Sequence, residues 1–145
     1  MRKNWGFTLV EVLLSIAAIA IISGISMPIY LSFQVKDDLD IAVVTLVQSL
    51  RRSQAQSQAS EGDANWGVKI QSGSITLFKG ASYAGREASY DEIFNTSSAI
   101  SFAGISEIVF DKLSGEPDTT GTITLTSTTN QTATVTLNGK GMVDY

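Results

Sequence analysis

Between Glu11 and Lys36 the chain carries no charged side chain. About two dozen residues in a row, mostly Ile, Leu, Val and Ala, suffice for a helix to cross the roughly 30 Å of hydrocarbon in a bilayer. One segment can do this only as a helix, because lipid gives an unpaired backbone group no partner. Arg2 and Lys3 stand ahead of the run and hold the N-terminus in the cytoplasm by the positive-inside tendency. Three readings fit. A secretory signal peptide begins this way, and Ala18-Ile19-Ala20 loosely fits a small-residue cleavage site. A cut there leaves residues 21–33 still strongly apolar. A plain membrane anchor is the second reading, with Glu11 an incidental charge near one interface. The third depends on the residues that lead into the run.

Those residues are Gly6-Phe7-Thr8-Leu9-Val10-Glu11. Glycine, aromatic, apolar pair and glutamate fall at a spacing that resembles the prepilin processing motif of type IV pilins and type II secretion pseudopilins. The short basic leader and the apolar helix behind it are similar to that family as well. The resemblance implies a membrane-embedded aspartyl peptidase that cuts between Gly6 and Phe7 and then methylates the new amine of Phe7. It makes Glu11 the acidic residue four positions on. Glycine suits a scissile position because it has no side chain to hinder the bond.

A carboxylate at the centre of a membrane helix costs about 2.5–3.5 kcal/mol on insertion scales, and less near an interface. Glu11 is therefore expected to have a partner. Within one chain the i, i+4 spacing brings it near the amine of Phe7. Between chains it could take the Phe7 amine of a neighbour, which the resemblance favours and which would set the stagger of subunits in a filament. A snorkelling or protonated carboxylate is the bland alternative. Further along, Pro28 lacks an N–H and crowds the carbonyl of Gly24, and Gly24 itself weakens a helix. That turn is expected to be weak or kinked, either as an assembly feature or as a tolerated irregularity of a membrane helix.

Composition closes several routes. Without cysteine there is no disulfide, acylated lipoprotein cysteine, thiol catalysis or thiolate metal site. Without histidine there is no Ser-His-Asp arrangement and no commonest metal ligand. A net charge of -4 makes nucleic acid an unlikely partner, since nonspecific binding rests on neutralising phosphates. Asp91-Glu92, or Asp111 with Glu116 and Asp118, match no EF-hand spacing and read as solvated loop acids rather than calcium ligands. Trp66, Tyr83, Tyr90 and Tyr145 read as core or rim aromatics rather than a stacking platform. No enzyme activity, cofactor or metal is expected.

The organisation follows in order. Residues 1–6 are a leader, 7–33 a transmembrane and assembly helix, 34–60 an amphipathic extension, and 61–145 a β-rich globular domain. In the extension Leu39, Val43, Leu46, Val47 and Leu50 recur at three- and four-residue spacing, an apolar stripe for packing on a sheet. Asp37, Asp38 and Asp40 read as a solvated face, and residues 53–60 as a polar tail that frays. Strands are expected at 66–70, 74–79, 99–102, 107–110, 122–126 and 132–137, with a short last one at 142–143. The last two long strands alternate apolar residues with Thr, as antiparallel strands with one wet face do. Residues 80–95 show no period and read as a long surface loop.

The expected fold is α+β: a long N-terminal α-helix, membrane-spanning in its first half, packed on a C-terminal antiparallel β-sheet domain, as in the pilin fold. The closing Thr-rich strands with Asn138-Gly139-Lys140-Gly141 look most like the minor pseudopilin branch. The resemblance implies a structural filament subunit, single-pass in the cytoplasmic membrane and then part of an extracellular filament. Its partners would be the prepilin peptidase/methyltransferase, other pilin subunits, the assembly platform and the lipid bilayer. The alternatives are a minor tip subunit that binds DNA or a secretion substrate, and a monomeric membrane-anchored binding domain.

Overall fold

A computed structural model describes residues 6–145, apart from the side chains of 25–29, 31 and 32. The fold is α+β, as expected, and the chain divides into two compact units at Gln34/Val35. One helix, α1 (Leu9–Gln58, 50 residues), contributes to both.

The first unit is helical from Leu9 onward. Leu9, Leu13, Leu14, Ile16, Ile19 and Ile21 all stand more than half exposed. A helix that is apolar on every side needs lipid or other chains around it. Among the described residues no helix is long and apolar enough to cross a membrane. The span read from sequence at 7–33 includes positions whose side chains lie outside the described residues. From Leu9 to Gly24 the described run amounts to about 24 Å of helix at 1.5 Å per residue, short of a full hydrocarbon core.

The second unit has its own core. Leu39, Ala42, Val43, Leu46, Val47 and Leu50 form the buried stripe of α1. Two four-stranded antiparallel sheets supply the other side. The first sheet contains β1 (Trp66–Gln71), β2 (Ser74–Lys79), β3 (Glu92–Asn95) and β5 (Glu107–Phe110), in the order β3-β2-β1-β5. The second contains β4 (Ile100–Gly104), β6 (Gly121–Ser127), β7 (Thr132–Leu137) and β8 (Val143–Asp144), in the order β4-β6-β7-β8. Val68, Ile70, Ile75, Ile108 and Phe110 from the first sheet join Ile100, Ile123, Leu125, Val135 and Leu137 from the second in one cluster with the helix stripe. In β6 and β7 the register pairs Thr122 with Thr136, Thr124 with Thr134 and Thr126 with Thr132, so the hydroxyls share the outer face and the apolar residues the inner one.

Two expectations need correction. Residues 80–95 are not wholly a loop, because β3 occupies Glu92–Asn95 and pairs with β2. The strand is four residues long and half-buried, too short to show a period against its polar flanks. What precedes it is strapped down: Tyr83 packs edge-on against Phe78 at 5.5 Å, and Arg86 bonds Asp91 at 2.7 Å. The second correction concerns 53–58, which is docked helix rather than a fraying tail; the helix ends at Gln58, two residues before Ser60. Ser53 and Ser57 are fully buried and continue the stripe of Leu46 and Leu50 with small polar residues.

Candidate processing and assembly segment

The segment is built by the start of α1. Gly6, Phe7 and Thr8 are outside the helix. The first turn leaves backbone N–H groups without partners, and a threonine before the helix can accept from one of them. Thr8 does so: the Glu11 N–H donates to Thr8 Oγ1 at 3.2 Å, and the Val12 N–H donates to the Thr8 carbonyl at 3.2 Å. Thr8-Leu9-Val10-Glu11 is a T-x-x-E capping sequence, a signal that could have found Thr8 as the residue fixing where the helix starts. It carries no place among the expected site residues.

This cap places the bond between Gly6 and Phe7 just ahead of the helix. Among the described residues a side chain at Gly6 would meet nothing within 4 Å, and Phe7 is 83% exposed. Helical peptide bonds are sheltered by their own hydrogen bonds; this one is open. The cap also puts Glu11 in the first turn, at the positive end of the helix dipole, where a carboxylate is favoured. The Glu11 carbonyl accepts from the Ser15 hydroxyl at 2.8 Å. An amine freed on Phe7 would lie at that same positive end, a position disfavoured for a cation unless a carboxylate answers it. Among the described residues nothing lies within 4 Å of where a side chain at Gly24 would begin. The side chain of Pro28 lies outside the described residues, and so do Arg2 and Lys3.

Residues 1–27 match the family model described as a prokaryotic N-terminal methylation motif. The chain carries that methylation motif. The methylation motif is consistent with the type IV pilin and pseudopilin family and supports a type IV pilin-like precursor. It covers Gly6, Phe7, Glu11 and Gly24 and stops one residue before Pro28. Neither the curated proteins nor the solved structures yield a match to the chain.

Of the acids weighed for calcium, Asp91, Glu92, Glu116 and Asp118 have other partners. Asp118 Oδ1 accepts from the Val109 N–H at 2.9 Å and its own N–H donates to the Val109 carbonyl at 2.8 Å, closing the free edge of β5. Glu116 pairs with Lys140 at 2.6 Å, and Glu92 holds Arg52 by two hydrogen bonds of 2.6 and 2.7 Å. Among the described residues no group of three acids is arranged to hold a metal ion. The aromatics serve the fold: the Trp66 Nε1–H donates to the Glu61 carbonyl at 2.9 Å, and Tyr90 meets Trp66 edge-on.

The polar end of α1 was missed as an organising site. The Ser57 hydroxyl donates to the Phe110 carbonyl and accepts from the Trp66 N–H, both at 2.9 Å, while the Ser57 carbonyl accepts from the Leu113 N–H at 2.9 Å. Gln54 Nε2 donates to the carbonyls of Gly115 and Lys140, each at 3.0 Å. One side chain thus ties a loop following β5 and the turn following β7 to the helix.

Proposed function

We propose that the chain is a structural subunit of a type IV pilus-like or pseudopilus filament. It is made as a membrane-inserted precursor with its N-terminus in the cytoplasm. A prepilin peptidase cuts between Gly6 and Phe7, and Phe7 is N-methylated. Methylation keeps the amine cationic. The apolar helix then moves from lipid into the filament, where the exposed residues of the first unit are covered by other copies. Glu11 of one subunit answers the Phe7 amine of the next and sets their stagger. Gly24 and Pro28 leave one helical turn soft enough to adjust during packing. The sheets face outward, and the assembly platform and peptidase are the partners.

One observation carries this reading. The bond between Gly6 and Phe7 lies open just ahead of a capped helix, with Glu11 in its first turn, inside the residues that match the methylation motif. A DNA-binding tip subunit has less support. On the sheet unit beyond α1, Lys69, Lys79, Arg86, Lys112 and Lys140 each pair with an acid, which leaves phosphates no free cationic patch there. A tethered monomeric domain would keep its leader and would not need Glu11.

Glu11→Gln separates these readings. It preserves shape and removes the charge. A charge-assisted hydrogen bond is worth about 1.5–3 kcal/mol, so each subunit contact weakens by more than about tenfold. The expected outcome is normal cleavage of the precursor with loss of sheared surface filament. Wild-type filament yield from Glu11→Gln would contradict the proposal.

A further inference from the structure

The part of α1 within the second unit has two faces. Leu39, Leu46, Leu50, Ser53 and Ser57 look into the core. At 3.6 residues per turn the opposite side carries Asp37, Asp40, Ile41, Val44, Gln48 and Arg51. All of these are exposed, Ile41 by 64% and Val44 by 47%. Two apolar residues thus lie uncovered between acids at the N-terminal end and a cation at the C-terminal end.

Among the described residues six of the eight cations are in ion pairs, and the two that are not, Lys36 and Arg51, both lie on this stretch of α1. Arg52, Lys69, Lys79, Arg86, Lys112 and Lys140 each pair with an acid of the same chain. Among the described residues Arg51, Asp37 and Asp40 are in no ion pair. The Arg51 guanidinium lies 5.7 Å from the centre of the Tyr145 ring, a contact that steadies the side chain and leaves its charge unanswered. The face is complementary to itself: what one end lacks, the other end offers.

We infer that this face docks a second copy of the same chain, parallel to the first and displaced along the helix, with Arg51 of one copy against Asp37 and Asp40 of the other. The inference rests on the filament reading, because chains inserted with the same polarity can meet only in parallel. A displacement of about 14 residues, or about 21 Å at 1.5 Å per residue, sets Arg51 beside Asp37. Positions 37, 44 and 51 are spaced by sevens, so a shift of two heptads keeps the faces aligned. Ile41 and Val44 then fall inside the contact. This register is fixed outside the apolar run and joins a different pair of neighbours from the pairing at Glu11, which needs a displacement of about four residues. An antiparallel pair would also join Arg51 to Asp37, but it would bring Val44 against Val44.

The chain has no cysteine, so introduced thiols report without background. Full-length Asp37→Cys and Arg51→Cys chains, carrying different tags, are expressed together and oxidised in the membrane. The expected result is a disulfide between the two variants and none in a Val44→Cys homodimer. Absence of the mixed disulfide, or a strong Val44→Cys homodimer, overturns the proposal. Sheared surface filament from the otherwise wild-type chain is the companion readout. If filament forms while the mixed pair does not cross-link, this register fails and the filament reading stands. If no filament forms and no mixed disulfide appears, both fail. In otherwise wild-type chains Arg51→Glu is expected to lower self-association about fivefold, and Arg51→Asp combined with Asp37→Arg to restore it; no recovery in the exchanged pair also overturns the proposal.

Discussion

At the residue scale, two serines on one helix face make opposite predictions. Ser53 and Ser57 are both fully buried. Ser57 makes two side-chain hydrogen bonds, whereas the Ser53 hydroxyl has no partner among the described residues. Removing one partner of a buried bond costs about 1–3 kcal/mol, while an unpaired hydroxyl contributes nothing by staying. Ser57→Ala is therefore expected to destabilise the folded chain by roughly that amount, and Ser53→Ala to leave stability level or raise it, as read from urea unfolding. Glycines give a second contrast. Gly141 has φ 76° and sits against Gln54, so a methyl there would strike the side chain that ties the loops together. Gly73 has φ 85° and open space around it. Gly73→Ala is expected to cost about 1 kcal/mol from backbone strain alone, and Gly141→Ala distinctly more by the same unfolding measurement.

At the element scale, the helix was legible and its far end was not. The stripe from Leu39 to Leu50 is apolar, and apolar spacing shows in a sequence. Ser53, Gln54 and Ser57 continue it with residues that elsewhere mean solvent. Only the burial of Ser53 and the partners of Gln54 and Ser57, the carbonyls of Phe110, Gly115 and Lys140, reveal that they are docked. β6 and β7 alternate strictly and were readable, whereas β3 is four residues beside a polar loop and was not. The division into two sheets depends on pairings between distant strands, such as β1 with β5, which local pattern does not encode. The loop tie also has a pH signature. Lys140 hydrogen-bonds Glu116 and attracts it, holding that carboxyl below the ordinary carboxylate range, and Glu116 raises Lys140 in return. The depressed carboxyl contributes stability above the ordinary carboxylate range and loses it as pH falls through its folded value. The raised ammonium contributes below its ordinary range and loses it as pH rises through its folded value. Both groups are exposed, so the effect is small. Thermal midpoints of wild type and Lys140→Met are expected to differ slightly near neutral pH and to converge in acid, once pH has fallen through the lowered range of the Glu116 carboxyl. A difference that persists in acid would show that the pair is not its source.

At the scale of the whole molecule, the two units pose different physical problems. The second buries its own apolar residues under two sheets and a helix face. The first leaves Leu9, Leu14 and Ile19 uncovered and needs an apolar environment from outside. A precursor in lipid and a subunit in a filament would be two ways to supply that environment, and in the proposed function cleavage ahead of the capped helix links them. Gly6, Phe7 and Glu11 could be singled out in the sequence because the motif they resemble has a set spacing, and all three lie within the residues that match the methylation motif. Thr8 was overlooked because a cap is a backbone function performed by an ordinary side chain. Intact-mass and N-terminal peptide mass spectrometry of the membrane-extracted protein tests the account most directly. The account predicts a chain that begins at Phe7 with one added methyl group on its amine. A chain that still begins at Met1, or one cut after Ala20, would contradict it.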